Sequence, residues 1–253
     1  HRVIAYWPAG PESEERLAEL RRFLADLPAC GLDPGDAELQ VARRRESEWA
    51  ENWKRYYHTF RLGRLVIHPS WEAYSPGPGE AVLTLDPGMA FGTGTHPTTA
   101  LCLAALGEEI RGGELVADAG TGSGILAVAA MKLGAERVVA CDADPVACRV
   151  AEENARRNGV ADRISVRWGE AGEVLAALAR PVDLLVANIV ADVIIRLAPS
   201  FAAALAPGGR LLASGIVAGR REETAAALSR AGLRVTGGRD EGGWVLLRAV
   251  RAK

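Results

Sequence analysis

The second half of the chain alternates short apolar runs with longer segments whose apolar positions recur at helical spacing. The short runs predict strands at residues 115–117, 137–141, 164–168, 182–187 and 210–214. The segments after them predict helices at residues 125–133, 145–158, 171–178, 193–205 and 221–231. Strands and helices in strict alternation are typical of right-handed parallel crossovers. We therefore predict a doubly wound α/β fold with a sheet covered on both faces.

The C-terminal tail does not continue this alternation of strands and helices. Two β-like runs, residues 234–236 and 244–250, are separated by a glycine-rich turn, and no helix lies between them. This pattern predicts that a mostly parallel sheet ends in an antiparallel hairpin.

The N-terminal part of the chain is too short for a domain of its own. It predicts a strand at residues 2–7, a helix at residues 12–27 and an aromatic-rich helix at residues 46–57. We expect the aromatic side chains to pack against a neighbouring domain, the alternative being a base-stacking surface. The segment 41–64 carries seven cations and three anions, which is typical of a solvated helix face or of a local contact with an RNA-bearing partner.

Composition narrows the class of protein. The chain has 253 residues, 49% of them apolar and 25% charged, with a net charge of −2, so no global positive field attracts nucleic acid. Four cysteines form no CxxC pair, which disfavours a zinc ribbon or a secreted disulfide framework and favours a reducing cytoplasm. No stretch reaches the ~20 apolar residues of a membrane span. The chain begins with His1 rather than Met, so we expect further residues upstream.

The clearest chemical signal is the glycine-rich run 118–124, Asp-Ala-Gly-Thr-Gly-Ser-Gly, which follows a predicted strand and opens a predicted helix. Gly120, Gly122 and Gly124 permit a tight turn and a close approach of ligand to backbone N–H groups, beside Asp118. A dinucleotide fingerprint would place its third glycine at position 125, which is Ile125. The spacing therefore predicts a nucleotide-like ligand and disfavours a nicotinamide cofactor.

Two polar residues follow neighbouring strands. Asp142 lies 18 residues after Gly124, at the end of the second strand, where a carboxylate accepts hydrogen bonds from ribose hydroxyls. Asp144 is better explained as the cap of the helix that starts at Pro145. Asn188 ends the fourth strand and points into the same crevice, where its carbonyl can accept a hydrogen bond from an amine; the alternative is an Asn that satisfies a loop backbone.

A second glycine-rich stretch, residues 86–99, precedes a helix that we predict to run to about residue 106. With Phe91 at its centre, it is typical of a mobile lid over a ligand. Thr95 is a candidate helix cap, with Pro97 in the first turn. His96 has two open interpretations, a proton relay and a structural hydrogen bond.

Together, residues 86–99, 118–124, 141–144 and 186–189 resemble the ribosomal protein L11 methyltransferase family, most specifically in the stretch FGTGTHPTT. The resemblance covers about residues 46–253. It implies a Rossmann-like domain (residues 64–253) that uses S-adenosyl-L-methionine, a linker helix (43–63) and a partial, apparently truncated α+β recognition domain (1–42). The S-adenosylmethionine contacts implied by family position are Thr99, Gly120, Asp142 and Asn188.

The implied activity is methyl transfer to lysine side chains and the N-terminal amine of ribosomal protein L11, free or on the large subunit. Our own hypothesis is that Asn188, with the backbone carbonyls after it, orients the lone pair of the amine. The alternative activity is methylation of an RNA base or a small-molecule amine. Base methylation often uses an aromatic residue after the fourth strand, but the run 188–191 is Asn-Ile-Val-Ala. Glu170, after the third strand, is a further candidate contact for adenine. We expect no metal and no membrane partner.

Overall fold

The structure is a computed structural model, and it describes residues 10, 12–31, 35, 39–42, 57–87 and 92–252. The chain divides into two units, His1–Tyr56 and Tyr57–Lys253. In the first unit, helix α1 spans Glu12–Asp26 and is followed by a short 3-10 turn, Leu27–Cys30. Helix α1 thus agrees with the predicted helix 12–27. The predicted strand 2–7 and nearly all of the aromatic helix 46–57 lie outside the described residues.

The second unit begins with a small sheet that the sequence pattern did not predict. Its three strands are β1 (Phe60–Leu62), β2 (Leu65–His68) and β3 (Ala81–Thr84). Strand β2 pairs antiparallel with β1 and parallel with β3. The prediction of a linker helix over residues 43–63 is therefore wrong for residues 60–62, which form strand β1. Gly63, at a φ of 61°, turns the chain back so that β1 pairs with β2.

Among the described residues, the large sheet has seven strands, and all of them except the last along the chain run in the same direction. They are β4 (Leu115–Ala119), β5 (Arg137–Asp142), β6 (Ile164–Trp168), β7 (Val182–Asn188), β8 (Leu205–Val217), β9 (Leu233–Glu241) and β10 (Trp244–Arg251). Their order is β6-β5-β4-β7-β8-β10-β9, and β10 is antiparallel to both of its neighbours. The predicted sheet and its antiparallel C-terminal hairpin are confirmed.

In the described part of the second unit, six helices cover the two faces of this sheet. They are α2 (Pro97–Glu109), α3 (Ile125–Leu133), α4 (Pro145–Arg157), α5 (Ala171–Ala176), α6 (Ala191–Ala204) and α7 (Arg221–Arg230). Strand β4 is buried along its whole length: Val116 joins the apolar cluster on one face, and Leu115 and Ala117 join the cluster on the other. Burial on both faces explains why residues 115–117 of this strand form a continuous apolar run.

Several predicted bounds differ from the observed ones. Strand β8 is much longer than the predicted 210–214, because Leu205 already pairs with Val182 before the register shifts. Helix α2 continues to Glu109, beyond the predicted residue 106. There, Glu109 accepts hydrogen bonds from Arg210 at 2.8 Å and from Arg248 at 2.7 Å, which joins α2 to strands β8 and β10.

In the part of the chain that the structure describes, no helix is both long and apolar enough to cross a membrane.

Candidate functional site

The glycine-rich turn between β4 and α3 forms a cradle of bare backbone. Gly120, Gly122 and Gly124 have φ angles of 76°, 54° and 78°, which an L side chain rarely adopts. A Cβ atom on Gly120 would lie 2.3 Å from Ile189 Cγ2, and one on Gly124 would lie 2.9 Å from Ala151 Cα. Gly120 and Gly124 therefore leave no space for a side chain, and the turn packs closely against Ile189 and Ala151 at the carboxyl edge of the sheet.

Asp118, which precedes the turn, supports it from within the core. Its side chain is fully buried, and Oδ2 accepts a hydrogen bond from the Thr121 hydroxyl at 2.6 Å. Burial raises the pKa of Asp118 to about 7, and nearby Asp142 adds to the rise, whereas hydrogen bonds from Thr121 and the Ala127 backbone oppose it. Direct contact between Asp118 and a ligand stays a prediction.

Asp142 ends β5 beside the glycine turn, and two backbone amides fix its carboxylate. Oδ2 accepts from the Gly122 N–H at 2.9 Å, and Oδ1 accepts from the Asp144 N–H at 3.0 Å. Each carboxylate oxygen retains further acceptor capacity for hydroxyl groups. Asp144 itself caps α4 by accepting from the Val146 N–H at 2.8 Å, as predicted.

Asn188, at the end of β7, meets Thr99, which lies 89 residues away in sequence. The Asn188 side-chain amide donates to Thr99 Oγ1 at 3.2 Å, and Thr99 is itself fully buried in the first turn of α2. Among the described residues, the Asn188 side-chain carbonyl oxygen is buried and has no hydrogen-bond partner. A buried acceptor without a donor is costly unless a ligand supplies one.

Two side chains that were not predicted from the sequence, Ser123 and Tyr57, hold Gly92 and Thr93 in place. Ser123 donates to the Gly92 carbonyl at 2.6 Å, and Tyr57 donates to the Thr93 carbonyl at 2.7 Å. Because Ser123 lies inside the glycine motif, its presence at the site could have been predicted from the sequence, but nothing in the sequence links Tyr57 to Thr93. Phe91, the predicted centre of a lid, lies outside the described residues.

His96 caps helix α2, so the prediction that Thr95 provides the cap is wrong. His96 Nδ1 accepts from the Thr98 N–H at 3.3 Å and is 2.8 Å from the Thr98 hydroxyl oxygen. Thr95 instead pairs with the Thr93 hydroxyl at 3.0 Å. The His96 ring also meets Trp244 edge to face, with ring centroids 5.1 Å apart. These contacts are structural, and a proton relay through His96 stays a prediction.

Glu170 occupies the cap position of α5 but makes no capping hydrogen bond with its exposed side chain. It lies two residues after the end of β6, on the same edge of the sheet as Asp142. A contact with adenine stays a prediction.

The fold and the site together define a class of protein. A seven-stranded sheet with a glycine turn after β4, an acid at the end of β5 and an asparagine at the end of β7 is the arrangement of a Rossmann-like methyltransferase. The family model described as ribosomal protein L11 methyltransferase (PrmA) matches residues 1–252. The chain belongs to this family.

Relatives and solved structures agree with this assignment. The chain is 51% identical to the ribosomal protein L11 methyltransferase of Pelotomaculum thermopropionicum, over 98% of this chain and 79% of that protein. It is 47% identical to the protein of the same name from Symbiobacterium thermophilum, over 98% of this chain and 80% of that protein. The crystal structure of the ribosomal protein L11 methylase from Lactobacillus delbrueckii subsp. bulgaricus matches with a TM-score of 0.71 and 36% identity, covering 78% of this chain and all of that one.

Proposed function

We propose that this protein transfers methyl groups from S-adenosyl-L-methionine to the lysine side chains and the N-terminal amine of ribosomal protein L11. The observation that carries the proposal is the buried, unpartnered carbonyl of Asn188, on the same sheet edge as the Gly120–Gly124 cradle and Asp142. Membership of the L11 methyltransferase family supports the identity of the substrate.

The residues present suit this cofactor. Gly120 and Gly124 allow the turn to pack closely against Ile189 and Ala151, which fixes its backbone at the carboxyl edge of the sheet, where a helix N-terminus offers free N–H groups to the cofactor. We assign to the Asp142 carboxylate the role of accepting hydrogen bonds from both ribose hydroxyls, and its fixation by two backbone amides supports this assignment. When bound, S-adenosylmethionine supplies an electrophilic methyl group on a positively charged sulfur.

The protein must present a neutral amine to accept that methyl group. Lysine has a reference pKa near 10.4, so deprotonation at pH 7.4 requires a shift of about 3 units, or about 4 kcal/mol. Removal of the amine from water and the nearby positive charge both lower its pKa. We assign to the Asn188 carbonyl the role of accepting an amine N–H, which orients the lone pair; the Thr99 hydroxyl fixes the amide for this role. No dedicated side-chain base is needed.

The arrangement of the chain fits a recognition unit joined to a catalytic unit. We propose that residues 1–42 belong to a substrate-recognition domain, that the segment after them is the linker, and that the catalytic domain follows. The division of the chain between Tyr56 and Tyr57 supports this organisation. We place the reaction in the cytoplasm, where L11 is available free or on the large subunit and where a local contact with ribosomal RNA is compatible with the cations of residues 41–64.

The test is methyl transfer from radiolabelled S-adenosylmethionine to purified L11, to ribosomal RNA and to small amines in parallel. We expect label in L11 alone; label in RNA or in a small amine would favour the alternative substrates. For Asn188→Ala we expect kcat to fall about 100-fold, since the amine is no longer oriented. Asp142→Ala is the contrasting variant, because its main effect is weaker cofactor binding, measured by calorimetry. Full turnover of Asn188→Ala with normal cofactor binding would contradict the assignment.

A further inference from the structure

Trp168 is a large apolar side chain that is exposed and yet held in place. The residue is 71% exposed, although Trp is usually well buried. Its indole N–H donates a hydrogen bond to the Ala143 carbonyl at 3.0 Å, across from β6 to the turn that follows β5. This bond limits the rotation of the ring, so the protein presents a fixed aromatic surface to solvent.

The position of Trp168 connects it to the cofactor site. Trp168 ends β6 and is the register partner of Asp142, which ends β5, and the Gly169 N–H donates to the Asp142 carbonyl at 3.0 Å. Register partners on neighbouring strands project to the same face of a sheet, and the strands lie about 4.8 Å apart. Trp168 therefore lies beside Asp142, the residue that we assign to the ribose.

The strand order fixes which way the ligand runs. The strands of the sheet lie in the order β6-β5-β4-β7, and Asn188 ends β7. In the proposed function, the amine that accepts the methyl group binds at Asn188. The sulfonium must therefore lie towards β7, and the ribose lies at Asp142 on β5. The base, on the opposite side of the ribose from the sulfonium, then extends towards β6, where Trp168 ends the strand.

We infer that Trp168 is a binding residue for the adenosine half of the cofactor, with its indole packed against the purine. This inference rests on the proposed function. Aromatic side chains stack on bases because both present flat π surfaces, and removal of such a contact costs about 1–3 kcal/mol. Since much of the ring of Trp168 remains in water, we expect the low end of that range, which corresponds to a loss of about fivefold to tenfold in affinity.

The experiment measures the binding of S-adenosylhomocysteine and of 5′-methylthioadenosine by calorimetry and by intrinsic tryptophan fluorescence. For Trp168→Ala we expect a loss of about fivefold to tenfold for both ligands, because both carry the adenosine. Trp168→Phe keeps an aromatic face, so we expect near-normal affinity together with loss of the ligand-induced change in fluorescence. Val217→Ala is the matched control, since Val217 is also an exposed apolar residue at the carboxyl end of a strand, and it should bind both ligands like the unmodified protein.

The outcomes separate this inference from the proposed function. If the unmodified protein binds neither ligand, the proposed function itself fails. If it binds both and Trp168→Ala binds them equally well, or Trp168→Phe keeps the full fluorescence response, then Trp168 is not the contact. Thermal denaturation shows whether each variant is folded, and a folded Trp168→Ala that loses affinity only for adenosine-containing ligands supports the inference.

Discussion

Replacing the buried carboxyl group of Asp118 tests how the core beneath the glycine turn responds to pH. Burial raises the pKa of Asp118 from its ordinary value of 3.8 to about 7, so near pH 5.5 the folded protein holds a proton that the unfolded chain has released. Asp118→Asn is neutral at every pH and keeps an oxygen that can accept the hydrogen bond of Thr121.

The sign follows from proton linkage. Between 3.8 and about 7 the folded state binds more protons than the unfolded state, so the free energy of unfolding falls as the pH rises through this window and levels off above it. In the folded protein the pKa of Asp118 lies about 1.5 units above pH 5.5, and each unit corresponds to about 1.4 kcal/mol in the free energy of unfolding. We therefore expect Asp118→Asn to gain about 2 kcal/mol relative to the unmodified protein between pH 5.5 and pH 8.

The assay is urea denaturation of both proteins at pH 5.5, 6.5, 7.5 and 8, since the difference between them cancels the titration of all other groups. Thr121→Val is the control: it removes a hydrogen bond that lowers the pKa of Asp118, so the decline in stability should extend to higher pH. A difference between the unmodified protein and Asp118→Asn that stays constant from pH 5.5 to pH 8 would refute the reasoning.

Two further predictions concern the glycine turn and the segment held against it. Gly120→Ala should lower the Tm and abolish binding of S-adenosylhomocysteine, because its Cβ atom would lie 2.3 Å from Ile189 Cγ2. Gly113→Ala is the control, since Gly113 has a similarly positive φ of 88° but open space around it. This control should cost about 1–2 kcal/mol of stability and leave binding intact. Tyr57→Phe should lose about 1 kcal/mol of stability in urea denaturation, because the Thr93 carbonyl loses its hydrogen-bond donor; unchanged stability would show that water replaces the hydroxyl.

Much of the large sheet could be predicted because its strands are short runs rich in apolar residues that alternate with longer helical segments, and central strands such as β4 and β7 are largely buried. Strand β6 and helix α3 have the predicted bounds, residues 164–168 and 125–133. The small sheet was missed because strands β1 to β3 are only three or four residues long, too short for a period to show. The length of β8 depends on its pairing with Val182, which no local pattern encodes.

Likewise, only some residues of the candidate site could be predicted from the sequence. The glycine turn and Asp142 were found because each lies directly after a predicted strand, and parallel strands bring their carboxyl ends to one edge. The cap of α2 was assigned to Thr95 by residue preference, but His96 takes the role because its Nδ1 reaches the Thr98 N–H. The importance of Trp168 became visible only from its register with Asp142.

By itself, the sequence determined the alternation of strands and helices along the second half of the chain, the doubly wound class and the residue types available at the carboxyl edge, because periodicity and glycine spacing are local properties of the chain. Only the tertiary structure decided which side chains meet: Asn188 with Thr99, Tyr57 with Thr93, and Trp168 with the turn at Ala143. The reason is that contacts between residues far apart in sequence depend on how strands are ordered and registered, and these are set by packing of the whole domain.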